Sequence, residues 1–253
     1  LLRPYNPAQQ IGIFDYCSGI DYGDIPVVPG YIQESHKKIE VGARAIFDSR
    51  TIPIFMGGDH SVSLPILRAI KQKFGPVALI HFDAHCDLWH GYFNKKDTHG
   101  TPFRRALEEN LIDSARSSQI GLRGPLYDEG DHQMPTEAGL MAITGPELHR
   151  MGIDKAISKI KARVGRGPAY LTFDIDFVDP AYAPGTGTPE AGGFTGYDSI
   201  SLVRGLTDID FIGYDMVEVM PAYDPANVTC LLAANIIYEF ISLIALQKRG
   251  NSN

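Results

Sequence analysis

The stretch VALIHFDAHCD, at residues 77–87, joins a continuous apolar run to a cluster of acidic and histidine side chains. A run that is apolar at every position is typical of a strand buried on both faces, as in a parallel sheet. In extended chain, side chains two positions apart point to the same side of the strand. We therefore expect Asp83, His85 and Asp87 to converge beside the end of this strand.

The same arrangement, an apolar run followed by polar side chains, occurs twice more. AYLTFDIDFVD at 169–179 contains Asp174 and Asp176, two carboxylates on one side of the chain. A third apolar run leads into GGDHS at 57–61, where paired glycines permit a sharp turn that would project His60 over the sheet edge. Because ligands of open α/β sheets bind at the carboxyl ends of the strands, the three clusters are expected to meet there.

Apolar runs and amphipathic stretches alternate along the whole chain. The predicted strands are 52–56, 77–82, 118–122, 140–143, 169–175 and 211–216. The predicted helices are 36–48, 63–74, 102–110, 154–164, 197–206 and 227–247. This alternation predicts a doubly wound α/β fold, with a mostly parallel central sheet and helices on both faces. No repeat or linker interrupts the pattern, so residues 1–253 are expected to form a single domain.

Composition excludes several classes of protein. The net charge of −7 argues against a nucleic-acid-binding protein, which needs a basic face to meet phosphates. No apolar run reaches the roughly 18 residues of a membrane span, so no membrane association is expected. The three cysteines, Cys17, Cys86 and Cys230, are too few and too widely spaced for a disulfide framework. They indicate a reducing, cytoplasmic compartment.

Several carboxylates at one sheet edge would repel one another and raise one another's pKa unless cations balance them. The four aspartates of the clusters after 77–82 and 169–175 carry four negative charges, which two divalent ions would neutralise. Carboxylate and imidazole ligands suit Mn²⁺, Fe²⁺, Ni²⁺ or Zn²⁺. Taken singly, each cluster is also compatible with a solvated turn, an ion pair or a helix cap. Three clusters that each close an apolar strand favour a metal site.

These motifs resemble those of the ureohydrolase family, which comprises arginase, agmatinase, guanidinobutyrase and related amidinohydrolases. The matching segments are GGDHS (57–61), DAHCD (83–87), HGTP (99–102), SQIGLRG (118–124), DIDFVDPAYAPGTGTPEAGG (174–193) and DMVEVMPAYD (215–224). The resemblance covers nearly the whole chain, is nearer to agmatinases and guanidino-acid hydrolases than to arginases, and implies the arginase-like three-layer fold. Family members normally have another strand and a glycine-rich loop before the region where this sequence starts. That N-terminal strand is expected to be absent from the domain, or not to be included in this sequence.

The resemblance implies two bound metal ions, Mn²⁺ by preference with Ni²⁺ as the alternative. One ion would be held by His60, Asp83, Asp87 and Asp174. The other would be held by Asp83, His85, Asp174 and Asp176, so that two aspartates bridge the pair. The implied reaction is hydrolysis of a small guanidino compound to urea and an amine. The implied assembly is a homotrimer or homohexamer.

The resemblance also assigns catalytic roles. Glu218 would bind the guanidinium through paired hydrogen bonds. Asp87 would pass a proton to the leaving amine, and His99 would relay protons because imidazole titrates near neutral pH. From the residues alone, His99 is expected to be a surface histidine and Glu218 a paired structural acid. His81 is expected to pack behind the ligands, and Cys86 to be a small core residue.

The loop at 88–98 is expected to face the substrate. It contains the only tryptophan, Trp89, whose ring could flank an alkyl chain or bind a cationic amine. The polar Asn/Ser set of arginases is not evident in this loop, so arginine is disfavoured. Agmatine, a guanidino acid such as guanidinobutyrate, or another small guanidine remain as candidate substrates.

Two other classes of protein offer alternative interpretations of these motifs. A deacetylase of related fold would bind one zinc ion through Asp, His and Asp, and the joint presence of His60, Asp87 and Asp176 argues against it. A non-catalytic, metal-binding subunit is expected to lack at least one ligand or Glu218, and every one of these positions carries the expected residue type.

Overall fold

The computed structural model describes residues 3–250 of the chain. Two short strands, β1 (Tyr5–Asn6) and β2 (Ile11–Gly12), pair antiparallel near the N-terminus. The central sheet contains β3 (Ile54–Met56), β4 (Ala78–Phe82), β5 (Ser118–Leu122), β6 (Met141–Thr144), β7 (Pro168–Asp174) and β8 (Asp210–Val217). These strands lie in the order β3-β8-β7-β4-β5-β6, and every neighbouring pair is parallel.

Helices cover both faces of this sheet. The hydrophobic core of one face contains side chains of α1 (Ile32–Asp48), α2 (Ser63–Phe74) and α3 (Pro102–Glu108). The core of the other face contains side chains of α5 (Gly145–Met151), α6 (Ile153–Val164), α7 (Gly196–Arg204) and α8 (Val228–Gly250). A single turn, α4 (Met134–Glu137), precedes β6. The predicted doubly wound fold is therefore confirmed.

The middle of the sheet follows from its sequence. All five residues of β4 are buried, as are six of the seven of β7, and the two strands pair over five register positions. Strands covered on both faces need continuous apolar runs, and β4 and β7 carry them. The carboxyl ends of β3, β4, β7 and β8 consequently open at one edge of the sheet.

The predicted boundaries differ from the observed ones by up to four residues, and two helices, α4 and α5, were missed, as was the strand pair β1 and β2. Helix α1 begins at Ile32 rather than at residue 36, and β3 begins at Ile54 rather than at 52. The longer of the two missed helices, α5, begins at a capping box. Glu147 accepts a hydrogen bond from the Thr144 amide at 2.9 Å, and Thr144 Oγ1 accepts one from the Glu147 amide at 3.4 Å.

Helix α8 is the most apolar helix. By length and composition the segment 225–250 meets the criteria for a membrane span, contrary to the expectation that no stretch would. Half of its most apolar window is buried inside the protein. The buried side carries Glu239, whose carboxylate lies 2.5 Å from Nη2 of Arg204. A paired carboxylate inside the protein is typical of a core helix, because an unpaired buried charge is costly.

The N-terminal strand pair packs against this helix. The side-chain amide of Asn6 donates hydrogen bonds to Oε2 of Glu239 at 3.1 Å and to Oγ of Ser242 at 2.9 Å. Asn6 is buried, and so are Ile11 and Ile13, which pack with Ala245 of α8. The two ends of the described chain are thus in direct contact.

Candidate metal centre

The three predicted ligand clusters lie in short turns directly after β3, β4 and β7. In each turn an aspartate accepts a hydrogen bond from the backbone amide two residues later. The pairs are Asp59 with Ser61 (3.1 Å), Asp83 with His85 (2.6 Å) and Asp174 with Asp176 (2.8 Å). Aspartate favours such turns because its short carboxylate reaches its own backbone. Strand β4 ends at Phe82, as predicted, so a turn and not extended chain directs the side chains of residues 83–87.

The first cluster forms around a buried imidazole. Nδ1 of His60 lies 3.0 Å from Oδ2 of Asp83, 3.0 Å from Oδ2 of Asp87 and 3.2 Å from Oδ2 of Asp174. The other ring nitrogen, Nε2, is 2.8 Å from Oγ1 of Thr172 on β7. The hydroxyl thus fixes the ring so that Nδ1 faces the three carboxylates. The four residues predicted to hold one ion are brought together.

The second cluster shares Asp83 with the first. Nδ1 of His85 lies 2.9 Å from Oδ2 of Asp176 and 3.4 Å from Oδ1 of Asp83. The amide of Ala84 donates to Oδ1 of Asp176 at 3.0 Å, which orients that carboxylate. The two oxygens of Asp83 therefore face different clusters. Asp174, the other predicted bridging residue, makes its described contact with an imidazole on the His60 side.

Backbone strain occurs at two of the predicted functional residues. Asp87 has φ of +52° and Glu218 has φ of +62°, in the left-handed region that side-chain-bearing residues avoid. Such conformations cost on the order of 1 kcal/mol or more and persist only where the surrounding structure fixes them. The two strained residues follow β4 and β8, and they carry two of the predicted functional carboxylates.

The pKa values of three buried acids shift in opposite directions. Burial, together with the charges of Asp176 and Asp83, holds the pKa of Asp174 well above its usual range. Burial and Asp83 likewise raise the pKa of Asp176 to about 6. Although burial alone would raise it, the charge of His81 and hydrogen bonds from the neighbouring histidines hold the pKa of Asp83 well below its usual range.

The two imidazoles respond to the same charges. Burial would lower the pKa of His85, but hydrogen bonds to Asp176 and Asp83 raise it to about 12. Burial would also lower the pKa of His60, but Asp174, Asp83 and Asp87 hold it well above its usual range. Without a bound cation, burial and repulsion thus favour the protonated form of Asp174, and the surrounding carboxylates favour the protonated forms of His60 and His85.

The residues fit two divalent ions. Nδ1 of His60 is buried and has no partner in hydrogen-bonding geometry, although three carboxylate oxygens surround it. The ligand atoms of each cluster lie within 4.8 Å of one another, one group comprising His60, His81, Asp83 and Asp87 and the other Asp83, His85 and Asp176. Oxygen and imidazole nitrogen are the donors that Mn²⁺ and Ni²⁺ take in proteins.

His81 supports Asp83 rather than facing the open side of the cluster. The Gln119 amide donates to Nδ1 of His81 at 2.9 Å, which leaves Nε2–H of His81 to donate to Oδ2 of Asp83 at 2.7 Å. An orienting partner behind a ligand is usual in metal sites. Cys86 is buried, as expected of a core residue, and burial raises the pKa of its thiol to about 12.

Glu218 follows β8 and reaches the first cluster. Its Oε1 accepts a hydrogen bond from the backbone amide of His60 at 2.7 Å, and its own amide donates to the Gly58 carbonyl at 3.1 Å. Burial raises the pKa of its carboxyl to about 7. The other oxygen, Oε2, points towards Gly187 of the glycine-rich loop, where a Cβ would lie 4.0 Å away. One carboxylate oxygen is therefore used structurally and one remains for a ligand.

The remaining predicted residues lie on the loop after β4. His99 is exposed, and its ring stacks on Tyr92 at a centroid distance of 5.6 Å. Within residues 3–250, no described contact joins His99 to the carboxylates. Trp89 lies nearer, with its ring centroid 6.5 Å from that of His85. The structure thus places Trp89 beside the clusters and His99 further out, behind Tyr92.

Five supporting residues escaped the sequence analysis: Thr172, Gln119, Arg123, Tyr127 and Asp131. Two of them had a usable signal, because Thr172 stands two positions before Asp174 on the same side of its strand and Gln119 lies in the matching segment 118–124. Arg123 donates hydrogen bonds to backbone carbonyls of three different segments. Its contacts depend on how the loops pack, which no local pattern indicates.

Known proteins share this architecture. The family model described as the arginase family matches residues 1–242. Guanidinobutyrase of Pseudomonas aeruginosa is 42% identical over 244 residues, which cover 96% of this chain and 76% of that protein. Guanidinopropionase of the same bacterium is 42% identical over 246 residues, or 97% of this chain and 77% of that protein.

Solved structures agree with these sequence matches. Proclavaminate amidino hydrolase of Streptomyces clavuligerus superposes with a TM-score of 0.91 at 34% identity, over 97% of this chain and 81% of that one. The resemblance to ureohydrolases and the arginase-like fold are both confirmed. The chain belongs to the arginase family.

Proposed function

We propose that the protein is a two-metal amidinohydrolase that hydrolyses a guanidino compound, agmatine or a guanidino acid such as guanidinobutyrate, to urea and an amine. The observation that carries this proposal is the convergence of four aspartates and two histidines, five of the six buried, at the carboxyl ends of β3, β7 and β4. The names of the two relatives above, guanidinobutyrase and guanidinopropionase, support the same reaction class.

Six side chains would hold the two ions. His60, Asp83, Asp87 and Asp174 would bind one, and Asp83, His85, Asp174 and Asp176 the other. When bound, the ions supply a nucleophile at neutral pH by lowering the pKa of water. Mn²⁺ is the proposed metal and Ni²⁺ the alternative, because oxygen and imidazole ligands suit both.

Glu218 would position the substrate. Its Oε1 is held by the His60 amide, so Oε2 faces the space beside the glycine-rich loop. A carboxylate binds a guanidinium through charge-assisted hydrogen bonds, which would hold the planar group beside the clusters. The pKa of about 7 applies to the side chain without a bound guanidinium. A bound guanidinium favours the ionised carboxylate, since an opposite charge stabilises it.

Two side chains would move protons. Asp87 lies in the first cluster, and its carboxylate would take up the proton that the attacking water loses and deliver it to the nitrogen of the leaving amine. His99 is exposed and stacked on Tyr92, so its ring could exchange protons with solvent. The guanidinium carries its positive charge at every physiological pH. The amine leaves only after its nitrogen has received a proton, so its departure depends on this proton delivery.

Urea release is the direct test. The purified protein is loaded with Mn²⁺ or Ni²⁺ and assayed with arginine, agmatine, guanidinobutyrate, guanidinopropionate and guanidine. We expect urea from a substrate other than arginine. Asp174→Asn should abolish the activity, because an amide cannot replace a carboxylate between two cations.

Asp210→Asn is the matched control. Asp210 lies at the opposite end of β8 and bonds to the Gln247 side chain at 3.0 Å, so its substitution should leave urea release unchanged. Two metal ions bound per chain without urea from any compound would contradict the proposal and favour a non-catalytic, metal-binding subunit.

We also propose a cytoplasmic homotrimer or homohexamer that does not bind nucleic acid. The family resemblance and the net charge of −7 support this proposal. Light scattering coupled to size-exclusion chromatography would measure the mass. A species of 27.8 kDa, the mass of one chain, would contradict the proposed assembly.

A further inference from the structure

Three aromatic side chains form a contiguous surface beside the metal centre. The Trp89 ring centroid lies 5.5 Å from that of Tyr92 and 5.5 Å from that of Tyr127. The rings of Tyr92 and Tyr127 are 6.1 Å apart. We call these three residues the aromatic wall. Trp89 and Tyr92 come from the loop after β4, and Tyr127 comes from the loop after β5.

Buried polar contacts hold the aromatic wall in place. Nε1 of Trp89 donates to Oδ2 of Asp131 at 3.0 Å, and the same oxygen accepts from the Tyr127 amide at 3.2 Å. Asp131 is itself buried, so it joins the two loops. Gly100 packs beneath the rings, and a Cβ there would lie 2.7 Å from Tyr92 and 2.9 Å from Trp89. The wall is thus fixed before any ligand arrives, which limits the entropy lost on binding.

The aromatic wall adjoins both metal clusters. Trp89 lies 6.5 Å from the imidazole of His85 in the second cluster, measured between ring centroids. Trp89 also follows Asp87 of the first cluster by two residues along the chain. A guanidino group between the clusters would therefore have the wall on the side of the loops, where its alkyl tail can lie.

The electrostatic surroundings of the wall favour positive charge. Aromatic faces carry negative partial charge and attract cations. His99 stacks on one face of Tyr92, and among residues 3–250 the only described protein cation over a ring is Lys73 over Phe74, so no described lysine or arginine occupies the faces of the wall. A partly exposed acid, Glu190, lies beside the second cluster, with its Oε1 3.8 Å from Nε2 of His85. Arg123, the closest guanidinium to that acid, is engaged by backbone carbonyls.

We propose that the aromatic wall is the subsite for the substrate tail and that it selects a cationic tail. The substrate class would be a guanidinoalkyl amine, in preference to a guanidinoalkyl carboxylate of equal length. This inference rests on the proposed amidinohydrolase function. It also separates the chain from its two relatives at 42% identity, whose names refer to guanidino acids.

The only tryptophan of the chain, Trp89, reports on the wall without turnover. Intrinsic fluorescence of the metal-loaded protein is titrated with putrescine, γ-aminobutyrate and butylamine, which share one amine and differ at the other end. A cation over an aromatic face binds about 2- to 30-fold tighter, so putrescine should have the lowest Kd. A Kd for γ-aminobutyrate equal to or below that for putrescine would overturn the inference.

Kinetics with matched substrates provide the second measurement. Agmatine, butylguanidine and guanidinobutyrate are compared in the protein as it stands and in Tyr127→Leu. The substitution should raise KM for agmatine roughly three- to thirtyfold, with a much smaller effect on KM for butylguanidine and on kcat. The control is Phe93→Leu, because Phe93 lies in the same loop but is 97% exposed.

The outcomes separate the inference from the proposed function. Urea from none of the three substrates would contradict the amidinohydrolase function, and the fluorescence titration would still rank the tails. Urea release with guanidinobutyrate preferred would contradict only the cationic subsite. Equal changes of KM in Tyr127→Leu and Phe93→Leu would likewise overturn the role of the wall.

Discussion

Arg123 connects the segments that carry the second ligand cluster. Its guanidinium donates hydrogen bonds to the carbonyl oxygens of Asp176 at 2.6 Å, Glu190 at 2.9 Å and Gly121 at 3.2 Å. The ammonium of lysine lacks the planar fork that reaches all of them. We expect Arg123→Lys to weaken binding of one of two Mn²⁺ ions about tenfold, equivalent to about 1.4 kcal/mol, while the other ion binds normally. Calorimetric titration with Mn²⁺ measures both affinities.

Arg116 is a matched control for this prediction. It donates to the carbonyl oxygens of Val164 at 2.8 Å and Pro168 at 3.5 Å, at the opposite end of β7. Arg116→Lys should leave both affinities unchanged. If the two variants weakened both ions equally, Arg123 would act through the general stability of β7 and not through the Asp176 turn.

The ligands could be predicted from the sequence because each sits at a fixed spacing after its own strand. Their supporting residues could not, because those contacts cross between strands. His81 is paired in register with Gln119 of β5 and with Thr172 of β7. The row that holds Asp83 and His60 in place therefore depends on strand register, and register is a property of the assembled sheet.

The carboxylate of Asp224 caps the first turn of helix α8. Asp224 accepts hydrogen bonds from the backbone amides of Thr229 at 2.9 Å and Cys230 at 2.8 Å. Although burial would raise it, these bonds lower the pKa of Asp224 to about 2. We expect Asp224→Ala to reduce the free energy of unfolding at pH 7 by about 1 kcal/mol. Urea unfolding measures the difference.

The pH dependence of this cap has a defined sign. A carboxyl whose pKa is depressed on folding stabilises fully above its unfolded pKa of about 3.9 and loses that contribution as the pH falls towards the folded value. The difference between the protein and Asp224→Ala should therefore shrink below pH 4. In Asp224→Asn, an amide that does not titrate, this part of the pH dependence should vanish. A difference that stayed constant down to pH 3 would contradict the role of the ionised cap.

Elements were predictable where periodicity was strong and less so at their ends. The run at 77–82 and the strand β4 agree within one residue because every position is apolar and buried. The extra first turn of α1 contains polar, exposed side chains at Gln33 and Glu34, which give no periodic signal. Helix α1 also packs against α2, a tertiary contact that the periodicity of α1 alone does not indicate.

At the scale of the whole molecule, Asn6 joins the N-terminal strand pair to α8. Its amide donates to Glu239 and Ser242, and Asn6→Ala would leave these buried groups with one partner fewer. Losing such a partner costs about 1–3 kcal/mol. For a domain of this size that corresponds to a fall in Tm of roughly 2–10 °C. Scanning calorimetry should show one transition, shifted as a unit.

Asn235→Ala provides the comparison for this prediction. Asn235 is an exposed residue of the same helix whose amide bonds only to the Leu231 carbonyl among its described contacts. Its substitution should change stability by less than about 0.5 kcal/mol. A separate low-temperature transition in Asn6→Ala would mean that the N-terminal strand pair unfolds independently of the sheet.

The order of strands has a consequence for the growing chain on the ribosome. β3 leads into the turn of His60, and within residues 3–250 its only neighbour in the sheet is β8, with Ile54 opposite Tyr214. All six proposed ligands are synthesised before β8. Until β8 is made, β3 lacks this pairing partner. A nascent chain of that length therefore carries every proposed ligand before the arrangement proposed to bind two ions can form. We therefore expect metal to be acquired late in biogenesis, after β8 has joined the sheet.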